Sequence, residues 1–411
     1  MNKKLIALAV ASALGAPLVA SAQGTGVTLF GRVGAEYSST KIDQASNSTT
    51  SHRQETIGDN SGVSRWGLLI TEDLGNGLKA NGRIEFAFRT GNGVIETARE
   101  QWVGLSSKTW GDVQFGRVQS VLKDFAGGAY LDPFITTSLQ ARGSGGAMYA
   151  PGNGFGVGAF VDHSIRYNSP SFGGFSAAVL LSPVDATQAE PGAGTSAPNV
   201  GGRGGTDNYQ IGLKYKFGTS GEIFGGYSHD GISDTQATTS ANGVTADDEE
   251  VWRIGGAWNF GDFRIAGQYE NIENALATNG GTTCAGGPSS NGGGDAGIST
   301  PQCNTAFNTN GDGDIWFLTA QYKLGKTTLV VQGGMTDADA IGTSIERESK
   351  NFTVGAIYNF SKRTKVFGGY QRVSIDGADA IANSIDNTAA QAAAFVQPDR
   401  STWTIGLHHF F

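Results

Sequence analysis

Four arginines define the chemistry open to this chain. Arg65 falls out of phase with Trp66, Leu68 and Ile70, and Arg83 out of phase with Ile84, Phe86 and Phe88. Arg99 is opposite in phase to Trp102, and Arg166 to Ile165 and Tyr167. Each therefore stands on the polar side of a two-residue alternation, where successive side chains point to opposite faces. Guanidinium groups keep their charge at physiological pH and act on solutes through field and hydrogen bonds, not through covalent steps. Lys79 shares the polar side with Arg83, while Lys123 and Arg117 are further candidates; alternation weakens around Arg117, so its side stays open.

Covalent and metal chemistry have little to work with. His52, His163, His229, His408 and His409 form no HExxH pair, and no Gly-x-Ser-x-Gly elbow occurs. Gly325-Lys326-Thr327 imitates the end of a phosphate-binding loop, but position 320 is Ala and the stretch has the look of a turn. NTNGDGD (308–314) lacks the spacing and final Glu of an EF-hand. No basic patch interleaved with aromatics suggests nucleic acid. No cofactor is expected.

The elements that carry these arginines are strands. LKANGRIEFAFR (78–89) sets Leu78, Ala80, Gly82, Ile84, Phe86 and Phe88 against Lys79, Asn81, Arg83, Glu85, Ala87 and Arg89. The same period recurs in NYQIGLKYKF (208–217), VWRIGGAWNF (251–260), NFTVGAIYNF (351–360) and the terminal STWTIGLHHFF. Tight turns follow at Asn76-Gly77, Gly261-Asp262, Gly325-Lys326 and Ser361-Lys362-Arg363. Long polar stretches alternate with them, near 38–62, 119–160, 183–205, 230–249, 274–313, 336–349 and 375–399. Strands counted between these breaks number about sixteen, and long loops at one rim with short turns at the other describe a transmembrane barrel.

Composition agrees. The chain has 63 Gly, 22 Phe and 11 Tyr against 10 Pro, which suits short strands and turns better than a helical enzyme. Its mean hydropathy of −0.21 does not exclude a membrane barrel, whose strands alternate and keep the average low. MNKK, an apolar run and Ala20-Ser21-Ala22 form a secretory signal over residues 1–22, leaving 23–411 as one barrel domain. Loss of Lys3 and Lys4 moves the formal charge from −8 to −10. Cys284 and Cys303 lie in one Gly/Asn/Ser-rich stretch of a chain sent to an oxidising compartment, and a disulfide between them is expected. Aromatic residues beside the short turns, among them Trp110, Phe172, Phe175, Phe217, Phe260, Phe263 and Phe360, fit an interfacial girdle. A soluble sandwich would gather them in its core. The fold class expected is all-β, a 16-stranded antiparallel transmembrane β-barrel with its apolar side outermost.

SRWGLLITEDLGNGLKANGRIEFAF, AREQWVGLSSKTWGDVQFGR, IRYNSPSFGGFSAAVLLSP and the terminal GLHHFF resemble the general diffusion porins of proteobacterial outer membranes, over almost the whole mature chain. The resemblance implies a homotrimer in lipid and lipopolysaccharide, delivered by the barrel-assembly machinery with Phe411 as part of its signal. It also implies a third loop, here 119–161, folded into the pore as a constriction. Arg65, Arg99 and Arg166 would then form a basic ladder on the wall, with Arg83 added from phase alone. Asp124 and Asp132, in VLKDFAGGAYLDPF, are the loop's candidate acidic partners; either one instead caps a turn or satisfies loop amides. The chain lacks the Pro-Glu-Phe-Gly-Gly run of the enteric members, so which loop side chains reach the axis stays open.

The expected function is passive diffusion of small hydrophilic solutes and ions, sieved at an Arg/Asp constriction whose transverse field orients dipolar solutes. A mild anion preference is expected, because charges in a narrow passage weigh more than screened rim charges. The alternative is a substrate-specific channel of the same fold, for a sugar or an organic acid. A barrel enzyme would need a Ser–His or Asp–His pair that is not recognisable here, and a receptor role of the loops can coexist with transport. Glu100 shares its phase with Trp102, which would turn a carboxylate toward lipid. A contact with a neighbouring subunit there would remove that cost.

Overall fold

Alternating side chains close into a ring. The computed structural model describes residues 26–42, 52–59, 64–93, 95–141, 160–183, 208–230, 248–275, 311–339, 346–376 and 399–411. The strands are β1 (Gly26–Ile42), β2 (His52–Gly58), β3 (Arg65–Gly75), β4 (Leu78–Phe88), β5 (Ile95–Ser107) and β6 (Gly111–Gln119). A one-turn helix, α1 (Val121–Asp124), and a 3₁₀ turn at Gly128–Leu131 separate these from β7 (Phe160–Asn168) and β8 (Phe175–Ser182). There follow β9 (Asn208–Lys216), β10 (Gly221–Asp230), β11 (Glu249–Phe260), β12 (Phe263–Ala275) and β13 (Gly311–Leu324). The last four are β14 (Thr327–Asp339), β15 (Glu346–Asn359), β16 (Thr364–Asp376) and β17 (Arg400–Phe410).

Each strand pairs antiparallel with its sequence neighbours, except that β2 and β3 share one stave. Strand β3 pairs with the first half of β1, from Gly26↔Thr71 to Arg32↔Arg65, and β2 with the second half, from Glu36↔Gly58 to Ile42↔His52. The segments thus form a closed ring of sixteen antiparallel staves. The ring closes where β1 meets β17, from Arg32↔Phe410 to Ile42↔Arg400. Closure pairs the two ends of the sheet with each other, as the hydrocarbon region requires of a spanning sheet.

The barrel is inside out relative to a soluble protein. Val103 is 63% exposed on the outer face whereas Glu85, on the neighbouring strand and the opposite face, is 0% exposed. Leu29, Leu213, Ile254, Leu318 and Ile405 likewise point out, while Gln210, Arg253, Thr319, Gln332 and Gln371 are buried inside. The aromatics expected beside the short turns lie outside, with Phe172, Phe175, Phe260 and Phe360 exposed. At the β3–β4 turn Asn76 and Gly77 both take positive φ (52° and 78°), the handedness a two-residue hairpin needs.

The terminal residue completes the ring. Phe411 donates its amide to the Gly31 carbonyl at 3.0 Å and accepts from the Gly31 amide at 3.1 Å. A Cβ on Gly31 would stand 2.2 Å from Phe411 Cζ and 2.7 Å from the Arg65 carbonyl. Gly31→Val is therefore expected to destabilise the barrel by about 1–3 kcal/mol through overpacking. A lowered thermal midpoint in detergent, with less folded species on unheated gels, is the readout; an unchanged midpoint contradicts it.

Candidate functional site: the pore wall and the loop inside it

After Gln119 the chain leaves the wall and enters the lumen. Ser120 caps α1 by accepting from the Lys123 amide at 3.1 Å. The inner wall then holds the segment 120–141 with polar side chains from distant staves. Gln210 of β9 accepts from the Val121 amide at 2.7 Å, and Gln268 of β12 from the Gly128 amide at 2.6 Å. Arg253 of β11, ion-paired with Glu270, donates to the carbonyls of Leu122 and Ala126. Glu36 of β1 takes the Ser138 amide and hydroxyl, both at 2.9 Å, and Gln371 of β16 donates to the Leu139 carbonyl at 2.9 Å. Wall glycines make room: a Cβ on Gly212 would meet Val121 Cγ1 at 2.6 Å, and one on Gly369 would meet Leu139 Cδ1 at 2.8 Å. Leu122, Ala126 and Leu131 pack with Phe224 and Phe317 in a buried apolar cluster inside the barrel.

Strands β3, β4 and β5 carry a basic wall organised by one carboxylate. Glu85 of β4 is ion-paired with Arg83 of its own strand and Arg99 of β5, and lies 3.6 Å from Arg65 of β3. A β-bulge makes the convergence possible. Ile84 pairs with Gln101 and Phe86 with Ala98, so Arg99 and Glu100 together oppose Glu85.

The phase of β5 corrects the reading of Glu100: Val103 and Leu105 are the exposed residues, so Trp102 and Glu100 face inward, and the bulge brings Arg99 in beside them. The carboxylate lies inside, accepting from Trp102 Nε1 at 3.0 Å and Gln119 Nε2 at 2.6 Å, with Arg83 Nε at 3.2 Å. Trp102 itself pairs across from the inward Arg83 and packs toward Val118 and Val121. Its phase is not the outward one, and the argument for a subunit contact at Glu100 falls with it.

The remaining basic residues sort as follows. Arg166 of β7 reaches Asp124 of α1 at 2.8 Å, joining wall to loop. Arg117 pairs with Asp162 at 2.5 Å and donates Nε to the Arg99 carbonyl at 2.9 Å; alternation breaks at Gly116, whose φ is +131°. Lys79 is exposed close to the Asn76–Gly77 turn, away from the Glu85 cluster. Lys123 projects from α1 over the Phe160 ring, its Nζ 3.5 Å from the centroid; Arg99 and Arg117 lie over the same ring at 4.8 and 5.5 Å. Burial, together with the charges of Arg99 and Arg65, holds the Lys123 pKa well below the ordinary lysine value.

Asp132 is a second correction. Its carboxylate, 1% exposed, accepts from the Phe134 amide at 2.8 Å and the Ala141 amide at 2.6 Å. It satisfies amides within the loop and does not face the pore. Cys284, Cys303 and the signal peptide lie outside the described residues. Asp314 of the NTNGDGD stretch accepts from Tyr269 and Asn271, and no group of three metal-ligating residues occurs among the described residues. Sequence reasoning missed Glu85 as the hub, although it stands on the polar set that contains Arg83. It also missed Arg32, directly across from Arg65 in register.

A closed sheet with an apolar exterior, a charged interior and a chain segment held within that interior defines a β-barrel channel of the outer membrane. Residues 7–378 match the model of the Gram-negative porin family, and the chain belongs to that family. It is 27% identical over 406 residues to an outer membrane porin protein of Bordetella pertussis, covering 90% of this chain and 94% of the relative. It is also 27% identical over 384 residues to outer membrane porin protein 32 of Delftia acidovorans, covering 90% and 88%. In structure it resembles the anion-selective porin from Comamonas acidovorans, with a TM-score of 0.65 at 20% identity over 94% of this chain and all of that one. It likewise resembles OmpF of Salmonella typhi, at 0.61 and 14% identity over 94% and 98%. The protein is an outer-membrane porin of a Gram-negative bacterium, and its relatives are channels, not enzymes.

Proposed function

We propose that the porin passes small hydrophilic solutes and ions through a constriction between the loop segment 120–141 and the wall of Arg65, Arg83, Arg99 and Arg166, with a mild preference for anions; residues 142–159 of the expected loop 119–161 lie outside the described residues. The observation that carries this reading is the asymmetry of the lumen. Basic side chains of β3, β4, β5 and β7 converge on one wall, and α1 adds Lys123 toward Phe160 in front of it. In a narrow, poorly screened passage such charges act on ions at short range. The likeness to an anion-selective porin supports the same preference.

A homotrimer fits this reading: OmpT of Vibrio cholerae, solved in a trimer form, shares the fold with a TM-score of 0.58 at 15% identity. Outer-membrane lipid and lipopolysaccharide surround the apolar face, and Phe411 serves the barrel-assembly machinery as a recognition signal.

The test is the reversal potential of the purified channel in a KCl gradient across a planar bilayer. Anion preference is expected at neutral pH. It should weaken as pH rises, because Lys123, whose pKa is held well below the ordinary lysine value, gives up its charge at a lower pH than a free lysine would. Clear cation selectivity at neutral pH refutes the reading. Saturable block by one sugar or organic acid would instead indicate a substrate-specific channel.

A further inference from the structure

The basic groups of the lumen fall into two chemical classes. Arg65, Arg83 and Arg99 share Glu85, Arg83 also meets Glu100, Arg117 meets Asp162, and Arg166 meets Asp124. These five guanidinium charges therefore face four carboxylates. Arg117 and Arg166 also spend donors on main-chain carbonyls, those of Arg99 and Gln119.

Three lysines are treated differently. Lys123 of α1 lies 3.5 Å from the Phe160 ring centroid. Lys214 of β9 lies 4.8 Å from the rings of both Phe125 and Tyr130 on the loop segment. Lys365 of β16 lies 6.0 Å from the ring of Phe410, which Arg32 also approaches at 5.5 Å. Among the described residues, no carboxylate oxygen comes within 4.0 Å of any of these ammonium groups. Glu222, the carboxylate acting on Lys214, accepts a hydrogen bond from the Tyr130 hydroxyl at 3.1 Å.

We propose that these three lysines, each cushioned on an aromatic ring, are the docking points for anions in the lumen, and that the arginines act as positioning residues. This rests on the anion preference proposed above and assigns the direct contacts with anions to the lysines, while the arginine wall supplies the surrounding field. A guanidinium beside a carboxylate presents little net charge to a passing ion, and part of its donors is already taken. A ring holds an ammonium through its quadrupole and accepts no N–H in full, so the three donors stay available to an anion. The ligands are compact anions, namely chloride, inorganic phosphate and short carboxylates. Separate weak sites suit a channel, where each ion must leave as readily as it enters.

The experiment replaces the lysines singly and together by Gln, and together by Arg, and records reversal potential in a KCl gradient and block by inorganic phosphate. Folding is read independently by heat-modifiability on gels. At a pH low enough to keep the three lysines protonated, each Lys→Gln change is expected to lower the anion-to-cation permeability ratio about fivefold, the scale of one charge near 4 Å in water. It should also raise the phosphate concentration needed for half-block, while the triple Arg variant keeps both. A wild-type channel that prefers anions, beside folded Gln variants with an unchanged ratio and unchanged block, overturns the assignment. If the triple Gln variant does not fold, the single variants decide on the same readings. A wild-type channel without anion preference refutes the underlying reading instead.

Discussion

Arg253→Ala is expected to loosen the loop inside the barrel and to lower its thermal stability more than loss of any other single anchor of segment 120–141. Arg253 and Glu270 are 1% and 0% exposed, so truncating one partner leaves a buried charge without its counter-ion, at a cost of about 3–5 kcal/mol. The same change removes the donor from the carbonyls of Leu122 and Ala126. Nothing in α1 replaces it, because one helical turn leaves its terminal carbonyls without internal partners. The expected result is a lower thermal midpoint and noisy single-channel current, as α1 fluctuates against β9 to β12. A variant with the wild-type midpoint and a quiet open level would show that the other anchors suffice.

Glu85→Gln is expected to strengthen anion selection. Glu85 is ion-paired with Arg83 and Arg99 and close to Arg65, and glutamine keeps its shape while removing its charge. One uncompensated charge about 4 Å from a permeating ion is worth about 1 kcal/mol in water, so the anion-to-cation ratio should rise roughly fivefold. The measurement is again reversal potential, with thermal stability as a control for mutual repulsion of the arginines. A ratio that stays constant would mean that the cluster lies outside the path of the ions.

Much of the barrel is legible in the alternation of residues such as 78–89, since a two-residue period survives whichever side is wet. The faces of Arg65, Arg83 and Arg166 follow from that period alone. It fails where the backbone adds a residue. Nothing in AREQW announces the bulge, and there one extra residue turns Arg99 inward against the count set by Val103 and Leu105; the same count places Glu100 and Trp102 inside, and taking Trp102 as outward misreads both. Asp132 fails for another reason: a carboxylate in a loop serves amides as readily as solutes, and its sequence context is the same in either case. Gln210, Arg253, Gln268 and Gln371 are invisible as anchors because any polar residue at an inward position satisfies the strand pattern. Their partners lie from 89 to 232 residues away in the chain.

The seam between β1 and β17 bears on how the molecule is made. Phe411 hydrogen-bonds in both directions with Gly31 of β1. Until β17 has paired with β1 the sheet has two bare edges, each offering unpaired amides to any other strand nearby. The nascent polypeptide must therefore be kept from foreign strands for the whole of its export. The seam from Arg32↔Phe410 to Ile42↔Arg400 hides those edges only once both strands are in place, since neither has another partner on that side among the described residues.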